Sequence, residues 1–545
     1  MLKKTICALL SGAMLLLGTA CSESEESGTG FLFTCALAGN PACLDPQYTD
    51  NENADIVVRN IMEGLVRLDE NGVPEPAGAE SYTISEDGLY YMFNLREDCR
   101  WYKKGMDEEN TTPVTAQDYV FAFRRIVDPV TASPYAQEFA CLKNANAIMA
   151  GTMDIAELGV SAPDDTTVIF RLEYTNPEFL QLLSQPCAVP CNEEFFLSTN
   201  GRYGLDLDTV LCNGAFYPTK WNYDPYGSDN FINFRKNPTH YDAENIAPSS
   251  LTFYILKSQA DADALFANDG ADVLSTMSSC VKYMESKEHT VTSEYAETMG
   301  LIFHPDNEIL QNEDLRHALA YAIDRSAYAP VLSADLKPAY GIIPPAVNLL
   351  GSSYREIYAD EPLAHPYDPT KAAELFDKAE KALHLNSMNT IRIMVSTDIK
   401  DTDALLTICQ EWQTLFGQYI GLETVSPDEY EQRIATGDYS IALYSIGPER
   451  NSCYEMLRQF SVQQKLLGFS SEEFTGILAE LSNTGRAADS VKLYGMAEQA
   501  ILDSMDFIPL FYKNSYLVST AGNKEIGFDA FSGTIDFRYA KHFSE

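Results

Sequence analysis

No stretch of this chain beyond residue 30 reads as a linker, yet its 545 residues exceed what one hydrophobic core can hold. Cores stop growing near about 250–300 residues, and longer chains split. Two or three lobes packed together are expected, with the chain crossing between them more than once. Strand and helix signals alternate from end to end, which makes the class α/β. Residues 31–37, 90–95 and 166–172 read as strands, and 440–444 and 507–512 as buried strands. Residues 54–65, 315–323 and 402–416 read as helices. Residues 115–126 form another, with Thr115 as N-cap, Asp118 three residues on as a capping-box variant, and Asp128-Pro129 as its stop. Proline in the first turn opens a further helix at residues 369–383. No period of 20–50 residues repeats, which argues against a solenoid.

The first 30 residues read as targeting rather than fold. Lys3 and Lys4 precede an apolar stretch at residues 6–18, too short to span a membrane as a helix. Gly18-Thr19-Ala20 is a small-residue cleavage site, Cys21 follows at once, and residues 22–30 are a polar, flexible tether. The arrangement resembles a bacterial lipoprotein signal, in which Cys21 receives the lipid and becomes the new N-terminus. It departs in one place: Gly18 stands where a large aliphatic residue is usual, with Leu17 one position earlier. A plain secretory peptide is the alternative, and both readings mean export. No later segment approaches the roughly 20 apolar residues that span a bilayer.

Export permits disulfides among the ten cysteines that remain after Cys7 and Cys21. Their spacing is scattered and a chain of this size needs no staples. Buried free thiols, or one or two disulfides, are therefore expected ahead of a metal site. Cys187 and Cys191 enclose Ala-Val-Pro and could pair with Cys212 or hold a metal, but no second ligand pair lies nearby to complete a zinc site.

The formal net charge of −41 becomes −43 once Lys3 and Lys4 leave with the signal. Such a surface is a poor partner for nucleic acid, which needs clustered Lys and Arg, and it favours solubility. No G-x-S-x-G elbow, H-E-x-x-H, phosphate loop or dinucleotide fingerprint occurs. None of the seven histidines lies four residues from another. Asp261-Ala-Asp263 lacks the glycine of a calcium loop and reads as a helix start. Neither a cofactor nor a metal is called for. An exported, tethered, multi-lobed chain without a catalytic motif points to capture rather than conversion.

Several segments, in order, resemble the family 5 solute-binding proteins of ABC importers, the class of oligopeptide- and dipeptide-binding proteins. Leu44-Asp45-Pro46 and Met62-Glu63-Gly64-Leu65 match its L-D-P and F-E-G-L elements. Residues 91–101 resemble its Y-x-F-x-L-R stretch ending in tryptophan. The most specific run is Pro113-Val114-Thr115-Ala116, continuing through Arg125, Asp128-Pro129, Thr131-Ala132-Ser133 and Tyr135-Ala136. Asn213-Gly214-Ala215-Phe216 and Asp324-Arg325 follow later. Most of these residues read as scaffold. Gly64 and Gly214 sit where a Cβ would clash. Trp101 and Trp221 are core rather than ligand-facing. Arg96 and Arg125 are candidates for charge-assisted bonds that fix one lobe.

The resemblance implies a two-lobed periplasmic-binding-protein-like fold (class II, cluster C) with an additional inserted domain. After a signal at 1–20 and a tether at 21–30, lobe I takes residues 31–64, 185–298 and 509–545. The inserted lobe II takes 65–184, and lobe III takes 299–508. Ligand binds in the cleft and the lobes close by a hinge. The resemblance places one ligand-gripping edge at Thr49, Asp50, Asn51 and Glu52, and the other at Tyr444, Ser445, Ile446 and Gly447. Strand-like main-chain bonds there would hold an extended peptide without side-chain selectivity. Peptide binders usually carry an aspartate where Gly447 stands, to neutralise the peptide's α-amino group; Glu449, Asp50 or Glu52 would have to supply that charge. Otherwise the ligand lacks a free amine, as a blocked peptide or an oligosaccharide does. The implied role is a monomeric receptor, lipid-anchored at the extracytoplasmic face of the membrane, that hands a peptide or other small solute to a permease and its ATPase subunits. A surface sensor on the same fold and an exported hydrolase are the rival classes.

Overall fold

The computed structural model describes residues 30–69, 71–276, 289–358, 365–399, 402–462, 464–484 and 486–543. The signal, Cys21 and Cys280 lie outside those residues. Leu32–Leu37 forms β1 and Glu52–Ile61 forms helix α1, capped by Asn51. A small antiparallel sheet follows, made of β2 (Ala79–Ile84), β3 (Tyr90–Leu95), β4 (Val160–Asp164) and β5 (Thr167–Arg171) in the order β2-β3-β5-β4. Alternation builds it: in β3, Tyr91, Phe93 and Leu95 are buried while Tyr90, Met92 and Asn94 are exposed. Helix α2 (Ala116–Val127) lays Tyr119, Phe123 and Ile126 on the buried face. Its capping box forms as expected, with Thr115 N donating to Asp118 at 2.8 Å, and Asp118 also accepts from the indole N–H of buried Trp101 at 3.0 Å.

The main sheet joins β1 to β6 (Phe216–Asn222), β7 (Phe231–Lys236), β8 (Ser250–Ile255), β9 (Val273–Thr276), β10 (Thr290–Phe303), β11 (Arg392–Ser396), β12 (Gly421–Val425), β13 (Ile441–Ile446) and β14 (Phe507–Ser519). Its order is β12-β11-β13-β10-β14-β9-β1-β8-β7-β6, with a short strand at Leu336–Pro338 also on β14. Strands β10 and β14 run 14 and 13 residues and pass from one core to another. At one end lies a core of Phe33, Val57, Phe234 and Phe253 around β1 and α1. At the other, helices α3 (Glu313–Tyr321), α4 (Pro369–Leu383) and α5 (Thr402–Phe416) cover one face of the sheet. Helices α6 (Cys453–Val462) and α7 (Ala487–Ser504) cover the opposite face. The result is a two-lobed α/β fold with a third body built on the small sheet.

Buried ions weld that third body to the β1 lobe. Arg125 of α2 donates to Asp45 at 3.1 Å and to Gln47 at 2.7 Å, and its guanidinium lies 4.1 Å from the Phe196 ring centre. Glu63 accepts from Arg538 and Tyr241 and faces His240 at 3.1 Å, with Arg67 at 3.6 Å. Burial works against ionising Glu63, but Arg538, His240 and Arg67 hold its pKa down to about 2. Tyr102 adds a backbone bridge to Cys212.

Several local expectations change. Helix α1 starts at Glu52 and ends at Ile61 rather than spanning 54–65, because Asn51 caps it and Met62 is extended. Strand β14 continues past Tyr512 to Ser519. The polar run Lys513-Asn514-Ser515 interrupts the apolar pattern, but β10 and Leu336–Pro338 pair its backbone on both sides. A Cβ on Gly214 would lie 2.6 Å from the backbone of Ile61, as expected, whereas one on Gly64 would make only ordinary contacts from 3.5 Å; the tight position is Gly78, against Gly64 itself. Trp101 is fully buried and Trp221 packs against the β1 core. Arg96 pairs with Asp98 at 3.3 Å and stacks on Tyr241. Among the described residues, nine cysteines are free thiols, Cys187, Cys191 and Cys212 included, and no group of three metal-ligating side chains forms. Burial pushes the Cys99 and Cys191 thiols up to about 12, which keeps them protonated and inert.

Truncating one partner of a buried pair leaves the other ion unpaired. Arg125→Ala is expected to cost about 3–5 kcal/mol in urea unfolding. A loss below about 1 kcal/mol, the range of exposed ion pairs, would show that Arg125 does not weld the two bodies.

Candidate functional site

Strand β13 offers half of the site. On one side it pairs with β10 along its whole length, from Phe303↔Ile441 to Thr298↔Ile446. On the other side its ladder to β11 ends after two pairs, at Met394↔Ala442. Beyond Ala442 no described strand pairs with this edge, although β11 continues to Ser396 against β12. The Leu443 carbonyl accepts from Tyr430 at 2.7 Å, and the Gly447 carbonyl accepts from the Gln459 amide. Tyr444 and Ile446 turn toward the core under α6 and α7. Ser445 points the other way and donates to Glu297 at 2.7 Å. Pro448 is buried and Glu449 exposed.

Gly447 lies against Glu297: an added Cβ would sit 3.1 Å from the Glu297 Cγ and 3.3 Å from the Ala296 carbonyl. The carboxylate beside this position is therefore Glu297, on the neighbouring strand, where it also accepts from Lys513 at 3.3 Å. Strand register alone brings Glu297 and Gly447 together, and no local sequence signal announces it.

The β1 lobe supplies the second stretch. Residues 49–52 are a helix entrance rather than a strand. Thr49 Oγ1 accepts from Asn51 N at 3.3 Å, Asn51 Oδ1 accepts from Ala54 N at 3.1 Å, and Glu52 opens α1. The Thr49 carbonyl accepts from the Tyr135 hydroxyl at 2.7 Å. Asp50 and Glu52 are exposed, and half-buried Asp55 follows one turn later. Burial pushes the Asp55 carboxyl up to about 7; Arg59 opposes the shift, while Glu52, Asp50 and Asp529 add to it. Arg59 is turned aside, donating to the Ser184 carbonyl at 3.1 Å.

The small-sheet body links the two stretches. One turn of chain holds Tyr135 against Thr49 and Glu138 against the Arg450 guanidinium. Burial raises the Glu138 pKa; Arg450 opposes this, and Glu455 and Glu449 reinforce it. Where the three bodies meet, carboxylates stand beside backbone carbonyls, the Tyr135 hydroxyl and the Arg450 guanidinium. No group of three metal-ligating side chains forms there among the described residues.

Comparison with known proteins gives the family. Residues 73–465 match the bacterial extracellular solute-binding proteins, family 5 Middle. The dipeptide-binding protein DppE of Bacillus subtilis is 24% identical over 496 residues, covering 90% of this chain and 88% of DppE. The probable deoxycholate-binding periplasmic protein YgiS of Escherichia coli is 25% identical over 489 residues, covering 87% and 86%. The substrate-binding domain of an oligopeptide ABC transporter from Bacillus anthracis superposes with a TM-score of 0.69 at 25% identity, over 95% of this chain and 100% of that one. The chain belongs to the family 5 extracellular solute-binding proteins. No described helix is long and apolar enough to cross a membrane.

The folded chain holds the Asp55 proton that an unfolded chain releases near pH 4. Stability should therefore fall as pH rises from about 4 to about 7, and level off above. Asp55→Asn is expected to flatten that slope in thermal melts at pH 5 and pH 8. Equal slopes in both proteins would contradict the shift.

Proposed function

We propose that this family 5 member captures short peptides outside the cytoplasmic membrane and passes them unaltered to the permease and ATPase subunits of an ABC importer. It is a receptor rather than an enzyme, acting as a monomer held to the membrane by a lipid on Cys21. The observation that carries the reading is the β13 edge beyond Ala442, where the β11 ladder has ended. An extended guest can add there as a strand, bonded through its main chain and hence tolerant of side chains. Asp50, Glu52 and Asp55 give the β1 lobe an acidic rim, and exposed Glu449 follows β13 in the chain. DppE and the Bacillus anthracis domain carry dipeptide and oligopeptide names, which supports the same ligand class.

A second reading has its own support. Gly447 removes the aspartate expected for a peptide amine, and Glu297 beside it already accepts from Lys513. A guest without a free amine, such as a blocked peptide or another small solute, fits that arrangement; YgiS shows a bile-acid name on a relative of comparable identity.

Native mass spectrometry of the protein as purified is expected to show a mixture of short peptides at one per chain. A single non-peptide mass would favour the second reading. Calorimetric titration with one co-purified peptide, free and N-acetylated, is expected to favour the free amine, and Glu449→Gln should erase about tenfold of that preference, the worth of one charge-assisted hydrogen bond. Equal affinities would rule out an amine anchor. Cys21→Ala should release the protein from membranes into the soluble fraction.

A further inference from the structure

The small-sheet body meets the α6–α7 lobe with no chain crossing between them, so non-covalent contacts hold that junction shut. Asn451 donates to the Gly72 carbonyl at 3.5 Å, and Thr175 donates to the Ser482 carbonyl at 3.2 Å. The centre of the junction is Glu178. It is 5% exposed and makes no ion pair among the described residues. Its carboxylate instead accepts from three groups of the opposing lobe: the Ser452 hydroxyl, the Tyr454 N–H at 3.3 Å and the Tyr494 hydroxyl at 2.7 Å. Beside it, Arg450 is 8% exposed and divided between Glu138 across the junction and Glu455 at 3.4 Å on its own side. When Arg450 leaves Glu138 it therefore keeps a partner.

We infer that Glu178 and Glu138 form a reversible latch, docking the small-sheet body into a polar socket of Arg450, Ser452, Tyr454 and Tyr494 and so holding the cleft closed. This rests on the proposed capture of a guest between the lobes, and adds the device that fixes the closed state. The β1 lobe and the small-sheet body move together, because Arg125–Asp45 and Glu63–Arg67 weld them. The latch is the contact that opening must break. Its chemistry keeps it weak. Three donors satisfy the Glu178 carboxylate, but burying an ion without a counter-charge offsets much of that gain. Burial accordingly raises its pKa, opposed by Ser452, Tyr494 and Arg450. A lobe released into water regains hydration at Glu178, so the two states stay close in energy and a guest of modest affinity can shift them.

The Tyr454 amide reports the latch directly, since it is the second residue of α6 and its acceptor lies on the other body. Hydrogen exchange on the ligand-stripped full chain is expected to show this amide exchanging faster than the β13 amides that bond to β10, the reference throughout, through opening without global unfolding. Tyr494→Phe, which removes one hydroxyl, should speed it about tenfold, the worth of one hydrogen bond to a charged group, while β13 is unchanged. Glu138→Ala does not touch Tyr454, and should speed the same amide several-fold if the junction opens as a unit. The latch is overturned if Tyr454 exchanges no faster than β13. It is equally overturned if Glu138→Ala leaves Tyr454 unchanged, because Glu178 would then be a local cap of α6. Circular dichroism melts of both variants separate these outcomes from simple misfolding.

Discussion

The pairing of β10 with β14 is the constraint on which the rest of this molecule depends. At one end Val291 and Val518 face a core with Ala36, Phe266 and Leu274. At the other, Met299, Leu301, Ile508 and Leu510 belong to the core under α3, α4 and α5. Between them Glu294, Tyr295 and Glu297 face Ser515, Asn514 and Lys513, and the register shifts between Tyr295 and Glu297 and again between Met299 and Gly300. The ladder is continuous while the side-chain packing is not. A bulged, polar stretch of paired backbone between two dry cores can bend without exposing apolar surface. The lobes are therefore tied by backbone hydrogen bonds that a hinge motion would leave in place.

Much of this was legible in the sequence because it is local. The capping box at Thr115 and Asp118, the Pro369 helix start and the alternation of β3 each lie within a few residues. The L-D-P element was legible as a motif, although its physical role, Asp45 gripping Arg125 from 80 residues away, emerges only in three dimensions. What remained hidden depends on register. Strand β14 outlasts its apolar run because neighbours on both sides supply its backbone partners, a tertiary fact that no window of sequence contains.

The candidate site divides along the same line. Residues 444–447 are singled out by the family resemblance, and the structure shows that the β11 ladder stops at Ala442 while β13 runs on to Ile446. Residues 49–52 read as an edge but belong to a helix entrance, since Asn51 spends its side chain on a cap. Glu297 and Glu138 escaped notice, and Tyr135 was seen only as part of a motif. They come from two distant stretches, and only folding sets Glu297 beside Gly447 or Tyr135 against Thr49. A small part of the acidity seen in composition lies where the bodies meet. There, burial and like charges raise Asp55 and Glu138 together.

Two lobes swinging about β10 and β14 to enclose a guest is a statement about shape, and solution X-ray scattering measures shape. The full chain is compared as purified with its guest and after the guest is stripped by unfolding and refolding. Closure predicts a larger radius of gyration and maximum dimension for the stripped protein, both reverting when the extracted guest is returned. Superimposable curves in all three states would mean that the lobes do not move, and that the strands between them are a rigid beam rather than a hinge.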